Sequence, residues 1–163
     1  MEVLRRVRHR FRSTAHPRNR LTVSKGQYLS YFKFAFVRNP WSRAHSWYWN
    51  VMRDENHRRI LGIGGEISFG AFLESHAGKG MLRPQTYWLK NLSGSMPLDF
   101  IGKFETLDAD FEICCRRMNI APMVLPHTRK SDNNDYREAY DTRLRDLVAE
   151  VYREEIAMFG YSF

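Results

Sequence analysis

Short apolar runs alternate along the chain with longer segments in which apolar residues recur every three or four positions. Residues 31–37 (YFKFAFV) and 98–104 (LDFIGKF) are short and rich in aromatic and β-branched side chains, which favours buried strands. Between them, Asn39 is a good N-cap and Pro40 suits a first helical turn, which predicts a helix over residues 40–54. The alternation of strand and helix predicts an α/β fold with a small, mostly parallel sheet flanked by helices.

Further helices are predicted in the second half of the chain. Ser68 can cap a short helix after a glycine-rich loop, and residues 84–91 (PQTYWLKN) suit another short helix. A longer helix is predicted to begin at Thr106 or Asp108. The last helix begins at Thr142, and its apolar residues fall at helical spacing: Leu144, Leu147, Val148, Val151 and Tyr152. At 163 residues the chain is interpreted as a single domain, residues 1–163.

The positive charge of the chain is concentrated at its start. Residues 1–20 hold seven arginines and one acid, whereas the whole chain has a net charge of +8. Such a basic arm can bind a polyanion or nucleic acid, and it can equally be a solvated helix edge or tail. No helix-turn-helix or RNA-binding signature accompanies it, so nucleic acid is not the expected partner.

Cysteine content and hydropathy exclude other classes of protein. The two cysteines, Cys114 and Cys115, are neighbours, which makes a disulfide between them strained and favours reduced residues on a helix. No Cys/His spacing of the zinc type is present, so no metal is expected. No apolar run approaches the roughly 20 residues that a membrane-spanning helix needs.

The junction between the first predicted strand and its helix carries candidate chemistry, in the run FAFVRNPWSRAHSWYWN (residues 34–50). Arg38 ends the strand and is followed at once by a helix N-terminus, where free N–H groups favour anions. Arg43 and Ser46 are three residues apart and share a helix face. An arginine, a helix start and a hydroxyl together suit a phosphate. The alternative is that Arg38 pairs with a carboxylate and Ser46 merely packs.

The same run resembles the 3′-phosphate-binding segment of the sulfotransferases, specifically the carbohydrate (Golgi-type) branch and its bacterial relatives. The matching residues are Arg38, Asn39, Pro40, Arg43, Ser46 and Tyr48. Downstream, residues 99–112 (DFIGKFETLDADFE) are similar to the family's second strand and following helix, and LPHTRKS and FGYSF are similar to its ending. The resemblance covers residues 31–163.

The resemblance implies a P-loop-like sulfotransferase fold and the nucleotide donor 3′-phosphoadenosine 5′-phosphosulfate (PAPS). It implies transfer of a sulfuryl group to a hydroxyl, with a carbohydrate as the acceptor. By position, Arg38 and Ser46 would hold the 3′-phosphate, and Arg43 would bind there or pair structurally. Arg129 and Lys130 occupy the place of a basic loop that approaches the same phosphate in relatives, and the alternative for them is solvated loop charge.

Other residues of the resemblance are assigned less specifically. Glu105 follows the second strand as in the family and is interpreted as structural. Gln85 and Trp88 match a family segment that is expected near the acceptor, with core packing as the alternative for Trp88. The catalytic base is left unassigned among three histidines: His16, His45 and His127.

The family also uses a 5′-phosphosulfate loop, approximately Pro-Lys-x-x-Gly-(Thr/Ser), and no segment of this chain matches it. Ser24-Lys25-Gly26 lacks a preceding apolar strand, and residues 76–80 (HAGKG) lie out of order. The chain is therefore expected to be incomplete at its N-terminus, and either truncated or inactive. Loss of the family's central strand would expose a sheet edge, which makes a homo-oligomer a further expectation.

Three functions remain after these steps. The first is a PAPS-dependent sulfotransferase, the second a polyanion- or nucleic-acid-binding module that uses the arginine-rich arm, and the third a non-catalytic interaction domain with the same fold. Bacterial relatives imply a cytoplasmic protein, and animal relatives imply the Golgi lumen if an N-terminal anchor has been lost.

Overall fold

The computed structural model describes residues 23–126 and 135–163, in two compact units that divide after Lys33. In the first unit, Lys25–Ser30 form a short helix, α1. Ser24 caps it, since the Ser24 hydroxyl accepts a hydrogen bond from the Gln27 N–H and the Gln27 side chain accepts one from the Ser24 N–H. The basic arm and His16 lie outside the described residues.

The second unit contains a small parallel sheet. Strand β1 (Phe34–Val37) pairs with strand β2 (Phe100–Lys103), and Phe36 lies opposite Gly102. A Cβ atom at Gly102 would lie 2.6 Å from the Phe36 ring, so only glycine allows this close approach. The predicted α/β class with a parallel sheet flanked by helices is confirmed.

Helices supply most of the second unit. In chain order they are α2 (Pro40–Arg53), α3 (Glu55–Ile60), α4 (Phe69–His76), α5 (Gln85–Leu89), α6 (Leu107–Arg117), α7 (Thr142–Val151) and α8 (Arg153–Phe159). Three short 3-10 turns lie at Gly80–Leu82, Phe104–Thr106 and Tyr136–Ala139. Within the described residues, no helix has the length and apolar content that a bilayer crossing demands.

The core lies where α2, α4, α7 and α8 meet. Its fully buried members include Ala44, Val51, Phe72, Leu73, Val148 and Tyr152. Tyr152 is buried with its hydroxyl satisfied, because it donates to the Leu82 carbonyl at 2.6 Å and accepts from the Gly78 N–H at 3.1 Å. This core fixes α2 against the turn before α5, and the two segments form the walls of the cleft described below.

Most of the predicted elements are confirmed, with differences at their ends. The first strand begins at Phe34 instead of residue 31, because Tyr31 ends α1. The helix predicted from Thr142 is confirmed, but it breaks at Tyr152 and continues as α8. Helices α1 and α3 are not predicted from the sequence. Both cysteines are free and buried on α6, as expected.

Candidate functional site

Arg38 directly follows β1 and is half-buried at the carboxyl end of that strand. Its Nε donates a hydrogen bond to the Ser42 hydroxyl at 3.0 Å, and its guanidinium lies 4.5 Å from the centre of the Phe104 ring. Burial lowers the pKa of Arg38, and the nearby Glu105 carboxylate opposes that effect. Because the pKa of an arginine lies far above neutral pH even when burial lowers it, Arg38 keeps its positive charge at this site.

Among the described residues, Arg38 forms no ion pair. Glu105, the carboxylate that influences it, is already engaged: one oxygen accepts from the Asn39 N–H at 2.7 Å and the other from the Tyr161 hydroxyl at 3.2 Å. Glu105 was expected to be structural, and its contacts within the described residues are with the Asn39 N–H and the Tyr161 hydroxyl. The guanidinium of Arg38 is left without a carboxylate from the described part of the chain.

Asn39 fixes the start of α2. Its Oδ1 accepts from the N–H groups of Trp41 and Ser42, at 3.0 and 3.4 Å, which confirms the predicted N-cap. Its Nδ2 donates to the Ser162 carbonyl at 2.8 Å. Because two free N–H groups of the first turn are used internally, an anion at this helix start would meet mainly the helix dipole and the side chain of Arg38.

The backbone of Arg38 is held by one side chain from α5. The Arg38 N–H donates to Gln85 Oε1 at 2.8 Å, and Gln85 Nε2 donates to the Arg38 carbonyl at 2.9 Å. Gln85 is only 9% exposed. Gln85 was expected near the acceptor. In the structure its amide contacts the main chain of Arg38, and Gln85 does not line the cleft described below.

A buried carboxylate lies behind Gln85. Glu155 is fully buried, accepts from the Gln85 N–H, and accepts from Gln85 Nε2 at 3.2 Å. Burial raises the pKa of Glu155, while Arg43 and the hydrogen bonds oppose that effect. Arg43 lies 3.8 Å from Glu155 Oε1 and donates to the Arg83 carbonyl at 2.9 Å, so it is held by internal groups.

An open cleft of about 640 Å³ connects these groups. Its lining residues are Arg38, Arg43, Ser46, Trp47, Asn50, Met81, Leu82 and Trp88. The structure therefore brings Arg38, Arg43 and Ser46 to one cavity. The Ser46 hydroxyl forms no hydrogen bond within the described residues, so it is available to a ligand. Arg43 lines the same cavity but is already paired.

A family model described as the sulfotransferase family matches residues 2–162. The chain belongs to the sulfotransferase family. Sulfotransferases are enzymes that transfer a sulfuryl group, so this chain is assigned to that class of enzyme. Neither a curated protein nor a solved structure matches it significantly.

Three residues that line the cleft of this sulfotransferase were missed by sequence reasoning: Asn50, Met81 and Leu82. Asn50 is four residues beyond Ser46 on the same face of α2, and helical spacing from Arg43 could have identified it. Met81 and Leu82 belong to the turn Gly80–Leu82, whose position beside α2 depends on tertiary packing and has no sequence signal.

The histidines of this sulfotransferase do not single out a catalytic base. His45 Nε2 accepts from Trp49 Nε1 at 3.0 Å, and burial, followed by the charge of Arg38, lowers the pKa of His45. His57, which sequence reasoning missed, lies with Nδ1 3.3 Å from Asp54 Oδ2 and with its ring 5.3 Å from that of Trp47. Neither residue lines the cleft. His127, Arg129 and Lys130 lie outside the described residues.

Proposed function

We propose that the chain is a PAPS-dependent sulfotransferase that transfers a sulfuryl group to a carbohydrate hydroxyl. Arg38 and Ser46 would hold the 3′-phosphate of the donor. The observation that carries the proposal is the cleft, which is lined both by an arginine without an ion pair and by a serine whose hydroxyl has no hydrogen bond within the described chain. Arg43, with its guanidinium on Glu155, would support α2 instead of the ligand.

The cleft residues Arg38 and Ser46 would contribute to the reaction by positioning the donor. In the transfer step, the acceptor oxygen forms a bond to sulfur while the bond from sulfur to the bridging phosphate oxygen breaks. The electron pair leaves with 3′-phosphoadenosine 5′-phosphate, and the hydroxyl proton passes to a base or to solvent. Arg38 and Ser46 contribute by fixing the far end of the donor, which orients the sulfuryl group without contact to it. A charge-assisted hydrogen bond from Arg38 suits the doubly charged 3′-phosphate.

Ser46→Ala is expected to weaken binding of 3′-phosphoadenosine 5′-phosphate about tenfold, because one hydrogen bond to a charged group is worth about 1.5 kcal/mol. Binding of adenosine 5′-phosphate, which lacks the 3′-phosphate, should hardly change. Isothermal titration calorimetry with both nucleotides measures this. Ser75→Ala is the matched control, since Ser75 is exposed on α4 and outside the cleft. Equal weakening of both nucleotides would contradict the assignment of Ser46 to the 3′-phosphate.

The cleft residues on the turn Gly80–Leu82 and on α5 suit a sugar. Trp88 and Met81 line the cleft with 56% and 60% of their surfaces exposed, which is high for large apolar residues. An exposed indole face packs well against the C–H groups of a pyranose ring. We therefore assign Trp88 to the acceptor.

Trp88→Ala is expected to raise the KM for a carbohydrate acceptor about tenfold, since loss of a stacked ring costs about 1.5 kcal/mol. The affinity for 3′-phosphoadenosine 5′-phosphate should stay within about twofold, because Trp88 is assigned no contact with the phosphate. Transfer of labelled sulfate from PAPS to a panel of sugars supplies the KM, and Trp49→Ala, an exposed tryptophan outside the cleft, is the control. Absence of transfer by the unmodified protein to every sugar would contradict the proposed acceptor class.

A further inference from the structure

The side chain of Gln85 pairs with the main chain of Arg38 as a neighbouring strand would. In a hydrogen-bonded pair of an antiparallel sheet, two residues exchange both N–H···O bonds. Here one side-chain amide makes both bonds, at 2.8 Å to the Arg38 N–H and at 2.9 Å to its carbonyl. The pairing lies immediately beyond Val37, the last residue of β1, and therefore continues the fixed backbone by one residue.

Glu155 in turn fixes the orientation of the Gln85 amide. Its two oxygens accept from the Gln85 N–H and from Gln85 Nε2, so Nε2 faces acceptors and Oε1 faces the Arg38 N–H. The donors of the Gln85 amide and of the Arg38 backbone each meet an acceptor, and the side chains of Gln85 and Glu155 are buried. Among the described residues, the neighbouring Arg43 Nε is buried without a hydrogen-bond partner. A buried amide whose hydrogen bonds are all made can rotate little.

We propose that Gln85, oriented by Glu155, is a positioning residue that sets the backbone of Arg38 so that its guanidinium reaches the 3′-phosphate. The inference rests on the proposed function, because it assigns Gln85 an effect on that phosphate site. Gln85 itself does not line the cleft. Its effect on binding must therefore pass through Arg38, and a shift of the guanidinium by a fraction of an ångström is enough to weaken a directional bond.

An exchange of the two side chains tests the network. Gln85→Glu removes the donor to the Arg38 carbonyl and places a second carboxylate beside Glu155. Glu155→Gln turns an N–H donor towards the Gln85 donors. Each variant is expected to lose about tenfold of the preference for 3′-phosphoadenosine 5′-phosphate over adenosine 5′-phosphate. The double variant restores a carboxylate–amide pair in reverse but not the donor to the Arg38 carbonyl, so its preference should recover only in part, to a value between those of the single variants and that of the unmodified protein.

Two further variants make the result specific. Glu154→Gln is the matched control, because Glu154 is the exposed neighbour of Glu155 and pairs with Lys90 at the surface. In an Arg38→Ala background, Gln85→Glu should produce no additional loss of affinity for 3′-phosphoadenosine 5′-phosphate, since its effect passes through Arg38. Calorimetry with both nucleotides gives the preference, and thermal unfolding of each variant shows that it is folded. If the single exchanges do not fold, Glu155→Asp gives a milder displacement with an intermediate loss.

The possible outcomes separate this inference from the proposed function. If the unmodified protein shows no preference between the two nucleotides, or if Arg38→Ala leaves the preference intact, the proposed function fails. If Arg38→Ala removes the preference but the folded Gln85 and Glu155 variants keep it, Gln85 is only a packing residue and the inference is overturned. A further loss of affinity for 3′-phosphoadenosine 5′-phosphate from Gln85→Glu in the Arg38→Ala background would also overturn it.

Discussion

Arg38→Ala is expected to remove the preference for a 3′-phosphorylated nucleotide, with binding of 3′-phosphoadenosine 5′-phosphate weakened about 100-fold. The estimate follows from the roughly 1.5–3 kcal/mol that a hydrogen bond to a charged group contributes. Arg38 is the described arginine of the cleft that lacks an ion pair, so no other described arginine of the cleft is free to replace it. Binding of adenosine 5′-phosphate should change less than about threefold. Calorimetric titration of both nucleotides measures the two effects.

Matched variants separate charge from geometry at this position. Arg38→Lys keeps the charge but loses both the planar fork and the bond from Nε to Ser42, so it should recover only part of the affinity. Arg116→Ala removes an exposed arginine that pairs with Glu112 on α6, and should leave both affinities unchanged. A preference that survives Arg38→Ala would mean that the 3′-phosphate binds elsewhere.

Glu155→Ala is expected to lower the free energy of unfolding by about 3–5 kcal/mol, which is the usual effect of removing one partner from a buried ion pair. The substitution leaves Arg43 without its carboxylate and leaves two N–H donors of Gln85 without acceptors. Urea denaturation followed by circular dichroism measures the change.

Glu154→Ala provides the comparison on the same turn of α8. Glu154 is exposed and pairs with Lys90 at the surface, so its loss should change the free energy of unfolding by less than about 0.5 kcal/mol. Equal effects of the two substitutions would show that Glu155 is not the buried anchor of α8.

Local signals predicted the elements that depend on local chemistry. Asn39 and Pro40 identified the start of α2, and Ser68 identified the start of α4, because a cap acts on the residues that follow it directly. The break between α7 and α8 was not predictable in the same way. Tyr152 continues the apolar spacing of the helix. The break accompanies two hydrogen bonds of its hydroxyl, which donates to the Leu82 carbonyl and accepts from the Gly78 N–H, and both partners are distant in sequence.

The residues of the candidate site also differ in whether local sequence or distant contacts place them. The placement of Arg38 and Ser46 at one cavity could be predicted, because they are two turns apart on one continuous strand and helix and match a known pattern. Gln85 was expected near the acceptor because it matches a family segment, and the sequence does not show that its amide meets the backbone of Arg38, 47 positions away. Glu155 follows another glutamate in an amphipathic segment, a context in which carboxylates are almost always exposed. Its burial depends on Arg43 and Gln85, and no spacing along the chain reveals that.

The hydrogen bonds that hold Arg38 and Asn39 close very long loops. The partners are 47 residues away for Gln85, 66 for Glu105 and 123 for Ser162. A peptide that contains only β1 and α2 would therefore carry the sequence motif without its geometry. The partners that fix the geometry reach Arg38 and Asn39 only when these long loops close. Occupancy of the cleft by a donor nucleotide would consequently stabilise residues 34–163 as a whole against global unfolding, through mass action, and not α2 alone.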